Sequence, residues 1–171
     1  MIERFYPDEY VDSAYDIPYK DWYEAGYRGV IFDIDNTLVE HGAPADERSK
    51  ALMKQLAEIG FQKMLISNNK EPRVKSFADA VGAAYIYKAN KPFPGNYRKA
   101  MERMGTGPEN TLFVGDQLFT DVWGAKELGI KTFLVKPIHP KEEIQIVLKR
   151  FLEKIVLHFY EKERMQKDAK N

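Results

Sequence analysis

Seven residues of this sequence sit just past the ends of apolar runs, and their types together could transfer a phosphoryl group. Asp33 follows Val30–Phe32, and Asp35 comes two positions later. Ser67 and Asn68 follow Lys63–Ile66. Lys91 lies in the loop beyond AAYIYK, and Asp116 follows TLFVG with Asp121 five residues on. An unpaired charge is very costly inside an apolar strand, so the acids belong where strands end and open to solvent. A phosphate ester calls for such a set. Its reacting group is dianionic, so acids alone would repel it. A divalent cation held by carboxylate oxygens reverses that field, and Mg2+ suits one or two carboxylates plus a substrate phosphate. Asp33 and Asp116 are the natural ligand pair. Lys91 adds fixed positive charge. Ser67, beside Asn68 and nearby backbone N–H groups, is the candidate cradle for phosphate oxygens. With the charge screened, the Asp33 carboxylate can attack phosphorus to give an acyl phosphate. Asp35 can protonate the leaving alkoxide, then deprotonate the water that cleaves the intermediate. Gly115 leaves room for a close backbone approach.

Such residues act together only if a scaffold brings the strand ends to one place. Five apolar runs alternate with helical patterns. After the first run, a helix starts at Ala45 or Asp46, turns Leu52, Leu56 and Ile59 inward and stops at Gly60. Pro72 opens the next, with Val74, Phe77, Ala78 and Val81 inward and Gly82 as its stop. KPFPGNYRKAMERMG reads as loop then helix, and Thr120 is positioned to cap a helix running to Gly129. This alternation predicts an α/β, three-layer Rossmann-like fold with a five-stranded parallel sheet and helices on both faces. In such a sheet all the strand ends named above share one edge, where ligands bind.

The chain of 171 residues is expected to form one domain, with 1–28 as an N-terminal arm, 29–136 as the core and 141–167 as a long amphipathic helix. The arm carries Tyr6, Tyr10, Tyr15, Tyr19, Tyr23 and Tyr27, the last four at a four-residue spacing that suits one helical face. Packing over the sheet is the expected role, and an aromatic surface for lipid or a partner is the alternative. In the last helix, Ile144, Val147, Leu148, Phe151, Leu152, Ile155, Val156 and Phe159 make a stripe wider than one packed face needs. Its second half suggests a subunit contact, hence an oligomer, or membrane docking. Twenty-six basic residues balance 26 acidic ones, so no broad affinity for nucleic acid is expected. The absence of cysteine excludes disulfides, thiolate metal sites and thiol catalysis. MIERFYPDEY does not read as a signal peptide, and no apolar run approaches the roughly 20 residues of a membrane span. A cytoplasmic protein, with peripheral contact at the inner membrane face left open, is the expectation.

DIDNTL, the serine of ISNN, the lysine of NKP and GDQLFTD occur in the order seen in haloacid dehalogenase (HAD) superfamily phosphatases, and the chain resembles them from residue 29 to about 135. The resemblance implies Asp33 as nucleophile, Asp35 as acid/base, Ser67 and Lys91 as phosphate binders and Asp116 as a ligand of Mg2+. It also implies the Asp35 carbonyl as a further metal ligand and Asp121 as an outer carboxylate, acting through water or by orienting Lys91. Within the superfamily the sequence is similar to the YqeG group of subfamily IIIA, through YVDSAYDI in its arm, SNNKE, the stretch YKANKP and GDQLFTD. That group resembles phosphatidylglycerophosphate phosphatases. Neither the interval from Val39 to about Gln62 nor that from Asn69 to Lys91 has room for a cap domain. An uncovered site admits a bulky substrate such as a lipid headgroup. The alternatives are a phosphatase of a soluble metabolite or nucleotide, and a non-catalytic binding protein of the same fold. Nothing in binding alone requires the acid/base at Asp35.

Overall fold

The structure is a computed structural model that describes residues 2–139 and 144–169, with side chains of the last helix described from Lys149 onward. Six strands, β1 (Glu9–Val11), β2 (Gly29–Phe32), β3 (Gln62–Ile66), β4 (Ala84–Ile86), β5 (Thr111–Gly115) and β6 (Lys131–Val135), form one sheet in the order β1-β6-β5-β2-β3-β4. Every pairing is parallel. The five expected strands are present, and the arm adds β1 beside β6 at one edge. At three half-buried residues, β1 is too short to show a period in sequence.

β2 and β5 are buried along their whole length, which is why both read as unbroken apolar runs. Their alternate side chains feed two cores. Val30 and Phe32 face one core with Leu112 and Val114. That core is covered by α1 (Tyr19–Glu24), α2 (Glu47–Ile59) and α3 (Glu71–Val81). Ile31 and Phe113 face the other, covered by α4 (Gly95–Met104) and α5 (Trp123–Lys126). Asp46 caps α2 by accepting from Ser49 N, whose hydroxyl accepts from Asp46 N in return. Thr120 does not cap a helix. It lies inside a π-type turn, Leu118–Val122, and its hydroxyl donates to Gln117 Oε1.

The arm packs as expected. Tyr19 is buried and donates to the Ala14 carbonyl, Trp22 sets its ring edge against Phe133, and Tyr15 donates to the Leu38 carbonyl at 2.6 Å, bracing the loop after β2. The last helix, α6 (Ile144–Asp168), turns Glu153 and Val156 inward with Leu157 and Tyr160 beside them. Phe151, Leu152, Ile155 and Phe159 face solvent on the other side. The wide stripe therefore divides into a packed row and an uncovered row. The expected start at Lys141 lies outside the described residues, as do the side chains of Ile144, Val147 and Leu148. Among the described residues, no helix is long and apolar enough to cross a membrane.

Candidate active site

β2 pairs with β3 on one side and β5 on the other, so the chain reverses direction across the sheet at β2. A crevice opens at the carboxyl end of such a switch point. The register places Phe32 opposite Val114, and Asp33 N donates to the Val114 carbonyl at 3.0 Å. Asp33 and Asp116 thus leave adjacent strands at nearly the same height. The turn that follows depends on Asn36, which adopts φ +62°, a left-handed conformation that asparagine tolerates better than most residues. Leu38 N then returns to the Ile34 carbonyl, and the loop presents Thr37 inward.

The Thr37 hydroxyl lies 3.3 Å from Asp33 Oδ2 and 3.1 Å from Asp116 Oδ1, so these two oxygens share one small space. Lys91 donates from Nζ to Asp33 Oδ1 and to Asp121 Oδ1, each at 2.6 Å. Asp121 Oδ2 accepts from Gln117 N. Gly115 is required here for a reason different from backbone approach: a Cβ on it would fall 2.5 Å from Asp121 Oδ2. Carboxylate oxygens of Asp33, Asp116 and Asp121 lie within 4.8 Å of one another, all buried. Burial pushes the Asp33 carboxyl up to about 6, with Lys91 pulling it back and Asp121 and Asp35 adding to the rise. Burial likewise raises Asp116 well above the carboxylate range, reinforced by Asp33 and Asp121 and opposed by Arg150. For Lys91, burial opposes the charge, but Asp121 and Asp33 outweigh it and its pKa is raised.

α6 closes the β5 side. Arg150 donates from Nη1 to the Asp116 carbonyl and to Glu153 Oε2, and from Nη2 to Asp116 Oδ2. Glu153 Oε1 accepts from Leu118 N at 2.8 Å. Four buried carboxylates, Asp33, Asp116, Asp121 and Glu153, therefore surround two cations, Lys91 and Arg150. With every group ionised the excess would be two negative charges, in a donor set of carboxylate oxygens. That set fits a divalent cation. Beside Asp116 a cavity of about 450 Å³ opens between α6 and the β6 edge, lined by Tyr10, Leu134, Arg150, Phe151 and Leu157 among others.

The β3 side carries the other candidates. Ser67 is buried, and its Oγ accepts from Asn69 N at 3.1 Å, leaving its own hydrogen to donate. The Asn68 side chain is directed at the Lys91 backbone, accepting from Lys91 N at 2.8 Å. It holds the lysine loop in place. Asp35 lies apart from the three clustered acids. Its Oδ1 accepts from Gly42 N at 2.8 Å and Arg73 Nη2 at 2.9 Å, and its Oδ2 from Asn69 Nδ2 at 2.7 Å. Five of these residues escaped the sequence reading: Thr37, Asn69, Arg73, Arg150 and Glu153. For Arg150 and Glu153 the available signal was an opposite-charge pair three apart in the apolar half of the last helix. For Arg73 it was a place in the first turn of the helix that follows a strand end.

Fold and site together define a class. The sequence matches the haloacid dehalogenase-like hydrolase family over residues 43–129. The protein named "Probable phosphatase YqeG" of Bacillus subtilis is 35% identical over 159 residues, covering 92% of this chain and 92% of that one. The chain belongs to the haloacid dehalogenase-like hydrolases, and it is an enzyme of their phosphatase type. Two further relatives carry substrate names. Glyceraldehyde 3-phosphate phosphatase of Pyrococcus abyssi is 26% identical over 138 residues, 75% of this chain and 56% of its own length. Phosphatidylglycerophosphate phosphatase 1 of Arabidopsis thaliana is 27% identical over 154 residues, 79% of this chain and 42% of its own length. This chain thus spans about half the length of those two.

Proposed function

We propose that this phosphatase hydrolyses a phosphomonoester through an aspartyl-phosphate on Asp33, with Mg2+, and that its substrate is phosphatidylglycerophosphate. The observation that carries the mechanism is the division of labour at Asp33. Lys91 fastens Oδ1, while Oδ2 stands beside Asp116 under a single shared hydroxyl. The two oxygens of one carboxylate thus face different partners, so one can bind a cation while the other attacks. Asp33, Asp116 and the Asp35 carbonyl would hold Mg2+, with Asp121 an outer carboxylate that orients Lys91. The ion supplies charge neutralisation between the carboxylates and the phosphate dianion. Ser67 donates to a phosphate oxygen, Lys91 contributes its charge and Asn68 supports that cradle by holding the lysine. An Asp33 carboxylate oxygen bonds to phosphorus as the ester P–O bond breaks, and the alkoxide takes its proton from Asp35. Water then gives a proton to Asp35 and attacks phosphorus. The bond to Asp33 breaks, and inorganic phosphate leaves.

Several features support the lipid substrate. The Arabidopsis relative aligns over most of this chain. The interval between β2 and β3 holds one helix, and that from β3 to Lys91 holds α3 and short β4, so we read residues 1–171 as one capless domain. The uncovered row of α6 includes Phe151, which also lines the cavity beside Asp116. A cytoplasmic protein resting that row on the inner membrane face would reach a headgroup from the water side. Self-association through the same row is the competing use of it. The Pyrococcus relative favours a second reading, a soluble phosphate ester as substrate. Phosphate release measured on phosphatidylglycerophosphate in mixed micelles and on a panel of soluble esters, with and without Mg2+, tests both. Turnover confined to soluble esters overturns the lipid assignment.

A further inference from the structure

Asp35 is held more tightly than a proton shuttle on a loop needs to be. A carboxylate offers about four acceptor sites on its two oxygens. Three are filled: Gly42 N and Arg73 Nη2 on Oδ1, and Asn69 Nδ2 on Oδ2. One site on Oδ2 is left. Two of the three donors come from the short stretch after β3 that also supplies Ser67, and Asn69 N is bonded to the Ser67 hydroxyl. Arg73 is an expensive choice for mere stability. Its side chain is largely buried, its Nε is buried with no hydrogen-bond partner among the described residues, and Asp35 is its ion-pair partner. An unpaired buried donor costs the fold and is retained where something else is gained. The guanidinium also lies 5.6 Å from the centroid of the Phe77 ring, on the next turn of α3, which limits where its fork can point.

We propose that Arg73, with Asn69, is a positioning residue that fixes Asp35 Oδ2 as the atom carrying the shuttled proton, through the one acceptor site those donors leave open. This rests on Asp35 being the acid/base. The proton passes from Oδ2 to the leaving alkoxide as the P–O bond breaks, and returns to Oδ2 from the attacking water. Arg73 itself touches neither substrate nor metal. Because its stretch also holds Ser67, the hydroxyl that grips the phosphate and the acid that serves the leaving group are set by one short segment.

The test compares kcat/KM for an alkyl phosphate, whose leaving oxygen needs a proton, with that for p-nitrophenyl phosphate, whose leaving oxygen does not. The ratio is independent of the fraction of enzyme folded, so a destabilised variant still answers. Asp35→Asn is expected to lower kcat/KM for the alkyl ester by about 10²-fold or more, and much less for the aryl ester. Arg73→Ala should show the same asymmetry, about tenfold on the alkyl ester, in kcat more than KM. Arg73→Lys, which keeps the charge and loses the fork, should restore only part of it. Equal losses on both esters in Arg73→Ala, alongside the asymmetry in Asp35→Asn, overturn the positioning role and leave the acid/base reading standing. No asymmetry in Asp35→Asn overturns the acid/base reading itself.

Discussion

Asp33 and Asp35 are two residues apart in the chain and occupy opposite surroundings. Asp33 lies buried with two further acids, balanced by Lys91 and, through Asp116, by Arg150. Asp35 stands outside that cluster and is held by a backbone N–H, an amide and a guanidinium. The first arrangement concentrates like charge, which is favourable only with cations in place. The second disperses a single charge among donors. A nucleophile that must meet a dianion needs the former, because the cation that gathers the acids also gathers the phosphate. An acid/base that must give up one proton and take one back in each turnover is better placed in the latter.

The largest effect expected from breaking this contrast is at Asp33. Asp33→Asn should lower turnover on the order of 10⁴-fold or more while the thermal melt stays cooperative, because it removes the attacking atom and one buried charge. Next comes Lys91. Lys91→Met leaves Asp33 and Asp121 buried without their shared partner, and removing one member of a buried ion pair typically costs about 3–5 kcal/mol. Chemical denaturation should show that loss, and saturating Mg2+ should recover part of it. A protein as stable as the parent would mean that the acids do not depend on the lysine.

A smaller effect concerns pH. The folded-state pKa of Asp33, about 6, lies above its ordinary 3.8. The metal-free fold therefore has this contribution in full below about pH 4 and loses it as pH rises through 6. Burial pushes Asp116 in the same direction. A divalent cation offsets the loss by binding the ionised carboxylates, so the rise in Tm on adding Mg2+ should be larger at pH 7 than at pH 5. An equal rise at both would place the cation elsewhere. The smallest effect is on the outer row of α6. Leu152→Ser with Phe159→Ser should change stability by about 0.5 kcal/mol or less and spare turnover of soluble esters. On the lipid reading, sedimentation with anionic vesicles should be lost. Unchanged sedimentation would remove that row from any lipid contact.

Much of this contrast is legible in the sequence, but unevenly. Asp33, Asp116 and Asp121 announce themselves because they end or follow apolar runs, and the alternation of strands and helices brings those ends together. The α3 residues Val74, Phe77, Ala78 and Val81 are all buried, as their spacing implies. The groups that balance the acids are harder to see. Arg73 and Arg150 are charged residues on helices, where a solvated face is the ordinary expectation. Tertiary docking alone turns their guanidinium groups onto Asp35 and Asp116. β1 is missed because three half-exposed residues show no period, and Thr120 misleads because a polar residue after a strand suggests a cap where the chain makes a wider turn.

The central claim is that Asp33 itself becomes phosphorylated, and the direct measurement is mass spectrometry of the Asp35→Asn enzyme after acid quench with an activated aryl phosphate. This variant should form the acyl phosphate and fail to release it. The account predicts one added phosphoryl group, located on the peptide that contains Asp33 and absent from Asp33→Asn. An unmodified Asp33 peptide during continuing turnover, or a phosphoryl group on another residue, would contradict it.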